Sequence, residues 1–244
     1  MLRSINKLKG YRLGTKDGEI GHVKEFYFDD HSWKVRYLIA DTGDWLSGRK
    51  VLISPQALGA VEDEGKIVQV KLSREQVEKS PSIEQDKPVS RQFEQEYANY
   101  FGWPSYWLDP LAWNAMPMAL PANIIPKTPE QPKCDPHLRD TKEVVGYNLQ
   151  ASDGEIGHVE DFILDDKDWS IRYLVVDTRN WWPGKKVLLS PRWIEKVSWG
   201  ESKVFVNIPR ETIKQAPDYD PDKTIMREYE TRLFKAYDKP GYWS

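Results

Sequence analysis

Asp17-Gly-Glu-Ile-Gly-His-Val23 recurs letter for letter as Asp153-Gly-Glu-Ile-Gly-His-Val159, 136 residues further on, and that spacing decides how the rest of the chain is read. Working outward, Gly10-Tyr-Arg-Leu13 matches Gly146-Tyr-Asn-Leu149, Arg36-Tyr-Leu38 matches Arg172-Tyr-Leu174, and Ser54-Pro55 matches Ser190-Pro191. The same offset holds without a gap to Pro104-x-Tyr106-Trp107 and Pro240-x-Tyr242-Trp243. Between residues 10–107 and 146–243, 39 of 98 aligned positions are identical, so the chain is a tandem duplication. The division that follows is a first domain over 1–107, a linker over 108–140 and a second domain over 141–244. The linker carries seven of the chain's 17 prolines, which remove backbone donors and exclude regular helix or inner strand. Its Trp113, Met116, Met118, Leu120, Ile124 and Ile125 are apolar enough to lie along a domain.

Composition narrows the function classes. At 39% hydrophobic and 12% aromatic residues, a 244-residue chain has enough apolar surface for two cores. Thirty-five basic against 38 acidic side chains leave a net charge of −3, which supplies no general field for a polyanion, so DNA is not an expected partner. A single cysteine, Cys134, excludes an internal disulfide and a thiolate-only metal site. The opening residues scatter charge and hold no apolar run, so no secretory leader is expected. The longest uncharged stretch, Pro110 to Pro126, is 17 residues with internal prolines, too short and too broken for a membrane span. A cytoplasmic location is the expectation.

Each repeat reads as a run of short strands. Lys16-Asp17-Gly18 and Ser152-Asp153-Gly154 are turns. The apolar residues that follow, Ile20, Val23, Phe26 and Phe28, break a period of two, which calls for a β-bulge near Gly21-His22 and a bent strand. Trp33, Val35, Tyr37 and Ile39 alternate as a half-buried strand, as do Trp169, Ile171, Tyr173 and Val175. Val51–Ile53, Leu58–Val61 and Ile67–Leu72 complete a small bent sheet or barrel. Ser73-Arg-Glu-Gln76 is a capping box, weakened in the second repeat by Pro209. A longer helix over about 88–100 presents Val89, Phe93 and Tyr97. Its counterpart presents Ile225, Tyr229, Leu233 and Tyr237.

This succession of Asp-Gly-Glu-Ile-Gly, hairpin, Arg-Tyr-Leu strand, basic Val-Leu strand and Ser-Pro resembles the PRC-barrel family. That family includes the cytoplasmic domain of the photosynthetic reaction-centre H subunit and the C-terminal domain of a bacterial ribosome-maturation factor. Tyr229 to Tyr242 is also similar to the tail of H-subunit-type members. The resemblance implies a mainly β protein of two PRC-type barrels, each followed by short helices and joined by the proline-rich linker. It implies no catalytic residues and no cofactor, and points to an adaptor that packs against other macromolecules.

Candidate sites are few. Trp45, Arg49 and Lys50 share one loop, and Trp181, Trp182, Lys185 and Lys186 share its counterpart, together with Arg179. An aromatic residue flanked by cations suits a protein anchor or base stacking with phosphate contact. The alternative is a tryptophan that folds back to plug the barrel. Asp41 and Asp177 are readable as acid–base carboxylates or as loop acceptors, and His22 and His158 as ligands or as bulge residues. One histidine per repeat is too few for a metal, and Cys134-Asp-Pro-His137 stands alone, so no metal site is assigned. The leading expectation is a non-enzymatic binding or scaffolding protein docking on a protein or macromolecular complex, as a homo-oligomer or an intramolecular pseudo-dimer. An RNA or ribosome-assembly factor using the basic and Trp loops is the alternative, and a hydrolytic or metal-dependent enzyme comes last.

Overall fold

The structure, a computed structural model, describes residues 1–46, 48–81, 91–103, 137–178 and 184–243. In the first repeat, β1 (Leu2–Ser4) leads into the one-turn helix α1 (Ile5–Leu8), followed by β2 (Arg12–Thr15), β3 (Gly18–Asp29), β4 (Lys34–Asp41), β5 (Lys50–Ile53), β6 (Leu58–Glu62) and β7 (Ile67–Val70). Helices α2 (Arg74–Glu78) and α3 (Arg91–Phe101) close it. The second repeat runs β8 (Leu138–Asp140), α4 (Thr141–Val144), β9 (Asn148–Ala151), β10 (Gly154–Asp165), β11 (Ser170–Asp177), β12 (Lys186–Leu189), β13 (Ile194–Ser198), β14 (Lys203–Val206), α5 (Arg210–Gln215) and α6 (Arg227–Ala236). This is the mainly β, PRC-type architecture with short trailing helices that the sequence suggests. Residues 104–136, most of the proline-rich stretch, lie outside the described residues, and β8 takes the last three residues of the 108–140 segment.

The chain forms two compact units. Unit one comprises Met1–Gly10, Glu25–Arg36 and Arg139–Ser244, and unit two Tyr11–Lys24 and Tyr37–Leu138. The sequence division at 1–107 and 141–244 follows the repeat, whereas the compact units place the opening strap and the tip of the β3–β4 hairpin in unit one. In unit one, β10 pairs with β1, β9 and β11, β11 with β12, β9 in parallel with β14, and β14 with β13. In unit two, β2 pairs with β3 and in parallel with β7, β6 with β7, and β4 with β5.

The bulge sits where the broken periodicity puts it. Arg12 faces His22 while Gly14 faces Glu19, two steps on β2 against three on β3, and Asn148–Gln150 against Glu155–His158 repeats the count. Gly21 has φ +119° and Gly157 +67°. A Cβ on Gly21 would lie 2.0 Å from the Asp41 carbonyl oxygen, and one on Gly157 2.1 Å from that of Asp177. Glycine is required there by both conformation and close approach. With the bulge in place, Ile20, Val23, Phe26 and Phe28 all point inward and are buried, as are Ile156, Val159, Phe162 and Leu164.

Two expectations need correction. β4 is buried on both faces, not one: Val35, Tyr37 and Ile39 are covered, and so are Arg36, Leu38 and Ala40. In unit two, helix α3 provides part of that cover, because the Tyr37 hydroxyl meets Glu94 and the Tyr97 hydroxyl donates to the Leu52 carbonyl. Trp33 and Trp169 are not strand residues but the ends of the hairpin turns, at φ +53° and +56°. The helices dock on the sheet of their own repeat. On α6 the buried face is Glu230, Leu233, Phe234 and Tyr237, whereas Ile225 precedes the helix. Val89, and the side chain of Phe93, lie outside the described residues.

Candidate functional site

Three of the loop cations, Arg49, Lys185 and Lys186, are engaged internally. In unit two, Arg49 donates from Nη1 to the Glu78 carbonyl at 2.8 Å and from Nη2 to the Ser80 carbonyl, tying the loop to the end of α2. Lys185 does the same in unit one: Nζ donates to the Ala216 carbonyl at 2.5 Å and pairs with Asp218 at 2.9 Å. Lys186 pairs with Glu160 at 2.8 Å. Lys50 lies half-exposed opposite Asp41 in the β4–β5 ladder. Trp45 is half-buried, with the Arg74 guanidinium 4.6 Å from its ring centre, so one face is taken by a cation–π contact. Trp181 and Trp182 lie outside the described residues, as do Arg179 and Cys134.

The carboxylates singled out from the sequence are tied into the fold. Asp41 accepts from Lys24 Nζ at 2.9 Å and from the Gly43 amide at 3.1 Å, and the Lys24 bond holds its carboxyl below the ordinary carboxylate range. Asp177 is buried opposite His158 at the bulge. His22 is exposed and His158 half-buried. The first aspartate of the repeated motif has a role that its turn position does not reveal. Asp17 accepts from the Arg74 amide at 3.0 Å and Asp153 from the Arg210 amide at 2.8 Å, so each caps a helix 57 residues away. The Thr15 hydroxyl and then the Arg74 amide lower the Asp17 carboxyl, and the Arg210 amide lowers that of Asp153.

A second repeated device is a buried glutamate. Tyr37 donates to Glu94 at 3.0 Å in unit two, and Tyr173 donates to Glu230 at 2.6 Å in unit one, where Tyr242 and Arg227 add bonds at 2.8 and 3.0 Å. Hydrogen bonds to a charged or strongly polar acceptor are worth about 1.5–3 kcal/mol each, and an orphaned partner costs a similar amount. Both glutamates are identical in the alignment, yet a helical glutamate in sequence reads as a solvated residue, so only tertiary contact reveals them.

The most symmetric constellation lies in unit one. Val35 N donates to the Trp169 carbonyl at 2.9 Å and Ile171 N to the Trp33 carbonyl at 2.7 Å, a reciprocal pair across the two hairpin tips. Phe28 packs on Phe162 and Phe26 on Trp169. Left-handed tryptophan costs about 1–3 kcal/mol, and these bonds offset it. Outside the tips, Arg3 pairs with Asp166 at 2.5 Å, and Arg139 with Asp30 at 3.3 Å. The Ser4 hydroxyl donates to Asp161, and the Thr141 hydroxyl to Glu25. Asp140 caps α4 through the Lys142 amide at 2.8 Å, and burial raises its carboxyl to about 6. The 136-residue offset exchanges the two backbone bonds with each other, and the Arg3–Asp166 pair with the Arg139–Asp30 pair. The signal was present as Leu2-Arg3 and Leu138-Arg139, which extend the repeat upstream of Gly10 and Gly146.

A bulged five-to-seven-strand sheet with a helix capped by the turn aspartate defines a class of small β-barrel module. The PRC-barrel domain model matches residues 2–77 and 140–213, and the chain belongs to that family. Both matches include the upstream straps or their ends. No curated protein matches the chain. Among the described residues, no helix is long and apolar enough to cross a membrane.

Proposed function

We propose that the chain is a non-enzymatic docking protein whose two PRC-barrel modules bind and scaffold a protein or macromolecular complex. One observation carries this reading: residues that form the bulge, the helix caps and the buried glutamate contacts are kept between the repeats, while several exposed positions around them have changed. Asp17, Gly21, Tyr37 and Glu94 recur unchanged as Asp153, Gly157, Tyr173 and Glu230, whereas exposed Arg192 and Lys196 replace Gln56 and Ala60. A frame kept constant under changing surfaces is what a recognition module needs. The groups with catalytic potential are committed elsewhere: Asp41 to Lys24 and the Gly43 amide, Arg49 and Lys185 to carbonyls. A single cysteine and a net charge of −3 fit a cytoplasmic setting. In-cell crosslinking of the full chain, with identification of its neighbours, tests the reading. Reproducible recovery of one complex supports it, and recovery of nothing above background removes it.

The RNA reading rests on the basic loops, and the internal use of Arg49, Lys185 and Lys186 weakens it. It requires a steep salt dependence of binding to structured RNA. A flat response ends it.

A further inference from the structure

The described surface of unit one carries a groove of about 690 Å³, within the range of about 300–1,000 Å³ typical of ligand clefts. One wall is the first repeat's hairpin loop with Trp33 and Lys34. The other is the stretch from Arg192 to Val197, and Ile171, Arg172 and Tyr242 also line the groove. Its charges are unequally engaged. Asp168 pairs with Arg172 at 2.6 Å, and Asp30 with Arg139 at 3.3 Å. Lys34 and Arg192 have no ion pair among the described residues, and Lys196 rests 4.4 Å from the Phe205 ring centre. Glu195 is the remaining acid in the lining without an ion pair. The balance is three cations outside ion pairs against one acid outside an ion pair. Partly exposed apolar side chains, Trp33, Ile194 and Val197, are interspersed with them.

The alignment makes the charges of the Arg192–Val197 wall specific to the second repeat. Arg192, Glu195 and Lys196 stand where the first repeat has Gln56, Gly59 and Ala60. The backbone below is held by letters that did not change, Ser190-Pro191 and Ser54-Pro55, so new charges were added to an old frame. We infer that this groove binds an extended acidic segment of a protein partner, with acidic side chains on Lys34, Arg192 and Lys196 and intervening apolar ones on Trp33, Ile194 and Val197. The mixture of cations with apolar surface favours a peptide over a nucleic acid, because a phosphate backbone would leave the apolar patches wet.

The inference rests on the docking reading and is tested separately from it. A fluorescein-labelled decapeptide of alternating glutamate and valine, blocked at both ends, is titrated with the full chain and followed by anisotropy. Its lysine–valine counterpart is the control. The acidic peptide is expected to saturate and the basic one not. The Arg192→Glu/Lys196→Glu variant is expected to weaken binding at least tenfold with an unchanged thermal midpoint, since both side chains are exposed. Absence of saturable binding, equal binding of both peptides, or equal affinity of the variant overturns the inference. So does a structured RNA that displaces the acidic peptide and loses affinity in the same variant. Crosslinking the variant in cells then separates the two claims. A complex captured equally well without these cations removes the groove and leaves docking intact, whereas capture lost only in the variant supports the groove.

Discussion

Helices α2 and α5 begin on the same long-range cap and on different local ones. Asp17 and Asp153 accept from the first helical amide in each, but Ser73 and Gln76 form a reciprocal capping box on α2, while Pro209 makes no side-chain cap bond on α5. The duplication has kept the contact that ties helix to turn and let the one within the helix go. A local cap is worth about 1 kcal/mol and is replaceable by packing. A contact between segments 57 residues apart sets how sheet and helix meet, and nothing nearby can substitute for it. The same contrast separates the motif letters from the groove letters.

The largest break in that comparison should come at the bulge. Gly21→Val or Gly157→Val places a branched side chain at positive φ against a carbonyl oxygen, and each is expected to cost more than about 4 kcal/mol. Urea denaturation followed by near-ultraviolet dichroism checks it. Similar losses in both repeats confirm the shared frame, and a tolerated substitution in either shows that the frames differ. Next come the buried glutamates. Glu230→Leu strands Tyr173, Tyr242 and Arg227, and is expected to cost about 3–5 kcal/mol by the same measurement. Glu94→Leu strands Tyr37 and is expected to destabilise too, and no loss in that variant would mean that the first repeat does not rely on this bond.

Smaller still is the local cap. Ser73→Ala should lose about 1 kcal/mol, and Pro209→Ala should lose nothing attributable to a cap. Equal effects on the two urea midpoints would show that the capping box is idle. The smallest effect is expected from pH, where the repeats differ at the strap: Ser4 caps α1 and Asp140 caps α4. Burial raises Asp140 from an ordinary 3.8 to about 6. The folded form therefore favours the protonated acid, and the contribution from this group is full below 3.8 and lost as pH rises through 6. Burial also raises Asp161. The lowered carboxyls, Asp17, Asp41 and Asp153, contribute stability that is present above 3.8 and lost below it, so they are silent in this window. Stability should rise as pH falls from 7 to 5, and Asp140→Asn, which keeps a good cap, should flatten that rise. An undiminished rise in the variant would move the effect to other groups.

Much of the fold was legible because it rests on local chemistry. The bulge followed from Ile20 and Val23 being three apart, the capping box from Ser73 and Gln76, and the turns from Asp-Gly. The errors share one cause. Trp33 reads as a strand residue because its apolar character fits the alternation. Its left-handed backbone is stabilised by a carbonyl bonded to Ile171, far along the chain. Likewise β4 reads as half-buried because a sequence does not reveal that a helix lies on its second face. Among the site residues, the loop cations Arg49 and Lys185 looked available because the carbonyls they satisfy lie about 30 residues on, at or just beyond the end of helices α2 and α5.

What the amino-acid order determined unaided was the duplication, the family of fold and the placement of strands and turns, since identity at a constant offset and backbone preference are local quantities. What only the folded chain decided was the fate of the polar side chains: which carboxyls cap helices, which glutamates are buried, which cations are spent and which remain on the groove. Those outcomes depend on through-space partners, and an ionisable group has no assigned role until burial and neighbours are both known.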